Sequence, residues 1–125
     1  MVLALLLLVS CMESISIQID TPPCENYDFD NPPEDGIEVH QEGGDWYAYR
    51  VGVFQGCDDL FDPDVVGEKR RITVYEYWDA RTEADCELCF QPTIILEQPG
   101  PGTYEISWYE GDQAEPIDVV TFEVE

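Results

Sequence analysis

The C-terminal stretch Ile117-Asp118-Val119-Val120-Thr121-Phe122-Glu123-Val124-Glu125 decides the fold class. Val120, Phe122 and Val124 fall on one side of an extended chain, and Thr121, Glu123 and Glu125 on the other. That is the period of two a half-buried strand requires. Outward from this segment the pattern recurs in residues 103–109 and 93–98. Residues 72–78 alternate imperfectly, with Ile72, Val74 and Trp78 on one face and Thr73, Tyr75 and Tyr77 on the other, so both faces are expected to be partly covered. Residues 37–41 and 46–54 flank Glu42-Gly43-Gly44-Asp45, which places two permissive glycines where a hairpin turns. Ile15, Ile17 and Ile19 alternate with Ser16 and Gln18. Between these runs, residues 21–36 hold Pro22, Pro23, Pro32 and Pro33 and read as an irregular loop, because proline supplies no ladder donor. Residues 80–90 are the one stretch with the character of a helical turn. Runs at intervals of roughly ten residues, without a long helix, predict an all-β, antiparallel β-sandwich of about seven strands.

The chain has 125 residues, with 28 Asp and Glu against 5 Lys and Arg, so its formal charge is −23. Phosphate backbones are held by Lys and Arg, so this balance excludes nucleic acid as a partner. Acidity alone would fit a disordered chain, but 44% hydrophobic and 12% aromatic residues supply a core. The length predicts one domain, residues 11–125, after a short leader, residues 1–10.

Pro99-Gly100-Pro101-Gly102-Thr103-Tyr104-Glu105-Ile106 resembles the tyrosine corner of immunoglobulin-like sandwiches, in which a Tyr early in a strand bonds back to the preceding corner. The resemblance implies an immunoglobulin-like topology. Ile106 stands where antibody domains carry their second Cys, so their inter-sheet disulfide is not expected here.

Met1 to Ser10 reads MVLALLLLVS and carries no charge. The run is too short to span a bilayer, which takes about 20 residues, but it fits the apolar region of a signal peptide. Leu8-Val9-Ser10-Cys11 is similar to the lipobox of bacterial lipoproteins. In that family the cysteine is diacylglyceryl-modified and becomes the mature N-terminus, and its acyl (palmitate-type) chains hold the protein at a membrane by burying methylenes worth about 0.8 kcal/mol each. No basic residue precedes the run, which departs from the usual signal. Met12 is not the aspartate of an inner-membrane retention signal, so the resemblance implies the cell envelope, and the outer membrane in a Gram-negative cell. Met12, Glu13 and Ser14 alone separate Cys11 from the first alternating run, which would keep the domain close to the bilayer.

Beyond Cys11 the cysteines are Cys24, Cys57, Cys86 and Cys89. An even number in an exported chain predicts two disulfides, with three possible pairings. All four fall in predicted loops, where each bridge would contribute about 2–4 kcal/mol. Cys86-Glu87-Leu88-Cys89 is also a C-x-x-C. A redox pair needs a lowered thiol pKa, whereas Glu83, Asp85 and Glu87 crowd this one with negative charge and disfavour the thiolate. A zinc site would need Cys24, Cys57 or His40 to complete the set, and these lack a paired spacing.

Asp58, Asp59, Asp62 and Asp64 form an oxygen-rich loop of the kind calcium accepts, and Tyr27-Asp28-Phe29-Asp30-Asn31 adds a second acidic run, but neither has the EF-hand spacing. The chain contains no G-x-S-x-G, and its only histidine, His40, lies within a predicted strand. No catalytic residues and no cofactor are therefore assigned. Trp46, Tyr47, Tyr49, Tyr75, Tyr77, Trp78, Trp108 and Tyr109 exceed what one face of each strand uses, so some rings are expected on an outer surface, where they could stack on a glycan or anchor a protein. The expectation is a non-enzymatic, lipid-anchored interaction module of the envelope; a calcium-binding domain and a redox protein using Cys86 and Cys89 are the rival readings.

Overall fold

A computed structural model describes residues 15–25, 27–80 and 86–125. Residues 1–10, read above as a leader, and Cys11 lie outside the described residues, as do Glu83 and Asp85. The strands are β1 (Ser16–Asp20), β2 (Ile37–Glu42), β3 (Asp45–Arg50), β4 (Val53–Gly56), β5 (Leu60–Phe61), β6 (Asp64–Glu68), β7 (Arg71–Glu76), β8 (Trp78–Asp79), β9 (Glu87–Phe90), β10 (Thr93–Glu97), β11 (Gly102–Glu110) and β12 (Asp118–Val124). No helix occurs among the described residues, and none is long and apolar enough to cross a membrane.

Two four-stranded sheets, ordered β1-β10-β3-β2 and β12-β11-β7-β6, pack face to face. Alternation decides what lies between them. Ala48, Ile94 and Leu96 from the first sheet meet Ile72, Val74, Ile106 and Trp108 from the second, and all are essentially inaccessible to solvent. Trp46 stacks on Phe122 across the interface at 4.6 Å. In β12 the side chains of Val120, Phe122 and Val124 turn inward and those of Thr121 and Glu123 outward, as the sequence predicts. Gly43 (φ 61°) and Gly44 (φ 93°) form the two-residue turn between β2 and β3, the positive-φ pair that a type I′ hairpin needs.

One pairing departs from the antiparallel expectation. β7 runs parallel to β11, with Ile72 opposite Ile106 and Val74 opposite Trp108. A parallel pair needs a long return, and here the chain crosses into the first sheet as β10 before coming back. Tyr104 Oη donates to the Gly100 carbonyl at 2.7 Å, so the corner's hydrogen bond is present. It does not extend to an immunoglobulin strand order, since in that order the neighbours of the corner strand are antiparallel.

Strands beyond the seven predicted come mainly from two arms at one end of the sandwich. β3 and β10 bend at Val51-Gly52 and Gln91-Pro92 and continue as the paired β4 and β9. β6 and β7 likewise continue past Asp62-Pro63 as β5 and β8. Trp78 contacts Phe61 in its own arm (5.5 Å) and Phe90 in the other (5.7 Å). Residues 87–90 are thus a strand and not part of a helical turn, because Glu87 to Phe90 pair with Gly56 to Val53.

Candidate functional site

The arms rest on a buried ionic node. Arg50, at the inward-facing end of β3, has 10% of its side chain exposed, and Glu76, at the end of β7, has 2%. Arg50 Nη1 donates to both Glu76 oxygens (3.1 and 3.0 Å), Nε and Nη2 donate to Asp35 (3.0 and 2.9 Å), and Nη2 also donates to Glu110 (2.9 Å). Glu76 further accepts from Trp108 Nε1 (2.9 Å) and Trp78 Nε1 (2.8 Å). Burial works to lower the Arg50 pKa, but the hydrogen bonds and charges of Asp35 and Glu76 outweigh it, and the guanidinium is held above its ordinary value. The hydrogen bond from Arg50 pulls Asp35 below 3.8 against partial burial. Every donor group of Arg50 and both oxygens of Glu76 are engaged, so the node ties β3 to β7 at the base of the arms. Sequence reading passed over it, although its mark is visible: Glu76 is the carboxylate that interrupts the inward series Ile72, Val74, Trp78.

The disulfides pair Cys24 with Cys89 and Cys57 with Cys86, each with Cα atoms 5.4 Å apart. Cys86 and Cys89 belong to separate bridges. Three residues along an extended chain span about 10 Å, beyond the reach of a disulfide, so the C-x-x-C has no vicinal bridge through which a redox cycle could run. Cys89 lies within β9 and not in a loop as predicted. With all four thiols bonded and His40 stacked on Tyr47 at 5.0 Å, the zinc set is not assembled.

The acidic loop does not gather as a calcium site would. Asp59 turns back to accept from the Gly56 amide at 3.0 Å, and Asp62 and Asp64 lie on either side of Pro63. Among the described residues, no three His, Cys, Asp or Glu side chains, including Asp58, converge as metal ligands. Asp28 in the second acidic run has a local role: its Oδ1 accepts from the amides of Asp30 (3.0 Å) and Asn31 (3.2 Å), an Asx turn with Phe29 at its tip.

The surplus aromatics separate into satisfied and unsatisfied groups. Trp108 is a core residue, Trp46 packs against the core with its buried Nε1 left without a hydrogen-bond partner, and Trp78 packs between the arms. Tyr47 and Tyr49 lie on the outer face of the first sheet as alternation predicts; Tyr47 is stacked on His40, and Tyr49 Oη donates to Glu38 at 2.6 Å. Tyr75 stacks on Tyr109 at 5.2 Å on the outside of the second sheet.

Tyr27, Phe29 and Phe54 differ from these. Their rings contact one another at 5.0, 5.7 and 6.0 Å, yet Phe29 remains 69% exposed and Phe54 42%. Three features hold them in place. The Cys24–Cys89 bridge ties the proline-rich loop to β9, and Phe54 stands opposite Cys89 on β4. Gly52 leaves room for the Tyr27 ring, since a Cβ there would lie 2.6 Å from its Cε2. The Asx turn then carries Phe29 beside both rings. Sequence reading counted Tyr27 and Phe29 only as part of an acidic run, because the bridge that brings Phe54 to them spans 65 residues.

No protein-family model, curated protein or solved structure matches the chain, so the assignment of function rests on this geometry.

Proposed function

We propose that the protein is a non-catalytic, lipid-anchored lipoprotein of the bacterial envelope, tethered at Cys11, whose Tyr27-Phe29-Phe54 cluster is the docking surface for a protein partner. The observation that supports docking is the exposure of Phe29 within a cluster fixed by a disulfide, a glycine seat and an Asx turn. A fixed group of exposed rings has little conformational entropy left to lose on binding, the property of an interface anchor. Glu25, Asp28 and Asp30 surround the rings in sequence and charge the rim negatively, so the matching partner surface offers apolar side chains ringed by Lys and Arg.

The test places a photo-crosslinking phenylalanine analogue at position 29, at 54 and, as a control, at Val119, which is 47% exposed on β12. Positions 29 and 54 should yield the same discrete adduct in intact cells, and 119 should not. Adducts that do not differ between the three positions would sink the docking surface. Anchoring is tested separately by Cys11→Ser, which should release the protein from the membrane fraction.

A further inference from the structure

Only five residues of the chain are cationic, and three of them, Lys69, Arg70 and Arg71, are consecutive. They form the tight turn from β6 into β7, with Lys69 in the left-handed region at φ 57°. In a chain with 28 carboxylates, none of the three forms an ion pair with a described residue, whereas buried Arg50 pairs with three acids. Arg70 has a shaped seat, because its side chain lies across Gly102, where a Cβ would stand 2.5 Å from Arg70 Cδ.

The position of the turn is the second observation. Lys69 and Arg70 line a concavity of about 650 Å³ together with Ile15 and Ser16, where the described chain begins. Cys11 precedes Ile15 by four residues, a reach of at most about 14 Å. The aromatic cluster lies toward the other end, since β7 runs from Arg71 beside the turn to Glu76 beneath the arms, about 17 Å away. Glu68, Glu97 and Glu105 share the surface around the turn, and the Gln98–Asp45 bond and the Gly102–Val124 pairing bring Asp45 and Glu123 to the same end, so the three cations offset part of its negative charge without cancelling it. Three of the five cations of the chain stand at this turn, which makes it the part of the surface least repelled by a negative membrane.

We propose that the Lys69-Arg70-Arg71 turn docks on the anionic headgroups of the bilayer into which Cys11 is anchored, and so orients the domain with its aromatic cluster outward. The proposal extends the lipoprotein reading. Headgroup phosphates supply the direct ion-pair partners that the turn does not find among the described residues, and the short tether keeps them within reach. Each basic residue held at such a surface favours the docked orientation by about fivefold.

Lys69 is the only lysine of the chain and therefore reports on its own surroundings. The full-length protein purified from membranes is inserted into vesicles of phosphatidylcholine, with or without 30 mol% phosphatidylglycerol, and acylated with a water-soluble active ester. Modification of Lys69 is followed by peptide mass spectrometry. Acylation should be at least about threefold slower on the anionic vesicles. The difference should disappear in 0.5 M NaCl and shrink in Arg70→Gln/Arg71→Gln, while added glycerol phosphate leaves it in place. Equal rates on the two vesicles, or suppression of the difference by glycerol phosphate, would overturn the proposal. The N-terminal peptide mass reads the anchor independently. If Cys11 carries no lipid, the lipoprotein reading fails, and the turn is judged by sedimentation of the unlipidated chain with the same vesicles. Salt-sensitive binding to the anionic set alone, weakened by the double substitution, then supports it; indifference to lipid charge overturns it.

Discussion

Arg50 carries three carboxylates, and they are not equivalent. Asp35 and Glu110 reach the guanidinium from a half-exposed rim, while Glu76 is almost wholly buried. Removing the arginine leaves Glu76 as a charge in the core without its cation. Removing the charge of Glu76 leaves Arg50 still paired with the other two acids. Arg50→Met should therefore cost about 3–5 kcal/mol, and Glu76→Gln clearly less, since glutamine keeps an acceptor for one indole N–H. Urea unfolding followed by tryptophan fluorescence measures both, and equal losses would refute this asymmetry. Tyr49 gives a second test. Its hydrogen bond to Glu38, with burial and the Glu38 charge adding, pushes its pKa to about 12 from 10.0. The folded state holds this proton more tightly than the unfolded chain, so the contribution to stability is intact below pH 10 and declines as pH rises toward 12. Ultraviolet titration should show a late-ionising phenol, and Glu38→Gln should bring it back toward the ordinary value.

At the scale of elements, the two bridges constrain different pieces of chain. Cys24–Cys89 closes a separation of 65 residues and Cys57–Cys86 one of 29. Chain entropy assigns them about 4.3 and 3.6 kcal/mol, so their global contributions are similar. Their local consequences differ, because only the first holds the proline-rich loop to β9. Cys24→Ser/Cys89→Ser should make residues 21–36 the first site of limited proteolysis, whereas Cys57→Ser/Cys86→Ser should leave that loop resistant. The strands themselves were legible, because a period of two is a local property: residues 117–125, 103–109, 93–98 and 15–19 all pair where their alternation predicts. Local pattern does not say where a ladder bends, so residues 46–54 read as one strand although Val51-Gly52 divides it. It does not say which cysteines meet across the fold. Nor does it distinguish a solvated acid from Glu76, whose partner comes from a strand 26 residues earlier. The exposed rings were half legible: alternation placed Tyr47 and Tyr49 outside, but the cluster around Phe29 exists only once the bridge has formed.

For the whole molecule, the charge of −23 acts against the compact state, since folding brings 28 carboxylates closer together than they are in the unfolded chain. Acidification removes this repulsion as the pI of about 4.1 is approached. Asp35 works in the opposite direction: its pKa is lowered in the folded protein, so its stabilisation is present above the ordinary carboxyl value of 3.8 and is lost as pH falls through the folded value. Tyr49 contributes no slope until well above neutrality. Neither group changes its charge between about pH 5 and about pH 9, so the melting temperature should be level across that window and fall below about pH 4 as Asp35 is protonated. Screening at constant pH 8 should raise the melting temperature, because about 0.5 M salt shortens the range of repulsion to a few ångströms. Arg50→Met removes the reason for the fall at low pH while leaving the surface charges, so its melting temperature should decline less steeply below pH 4 than that of the native protein. Stability indifferent to salt at pH 8 would mean that the carboxylates are spaced widely enough to be solvated one by one, and the negative field assigned to the outward face would be too weak to select a basic partner.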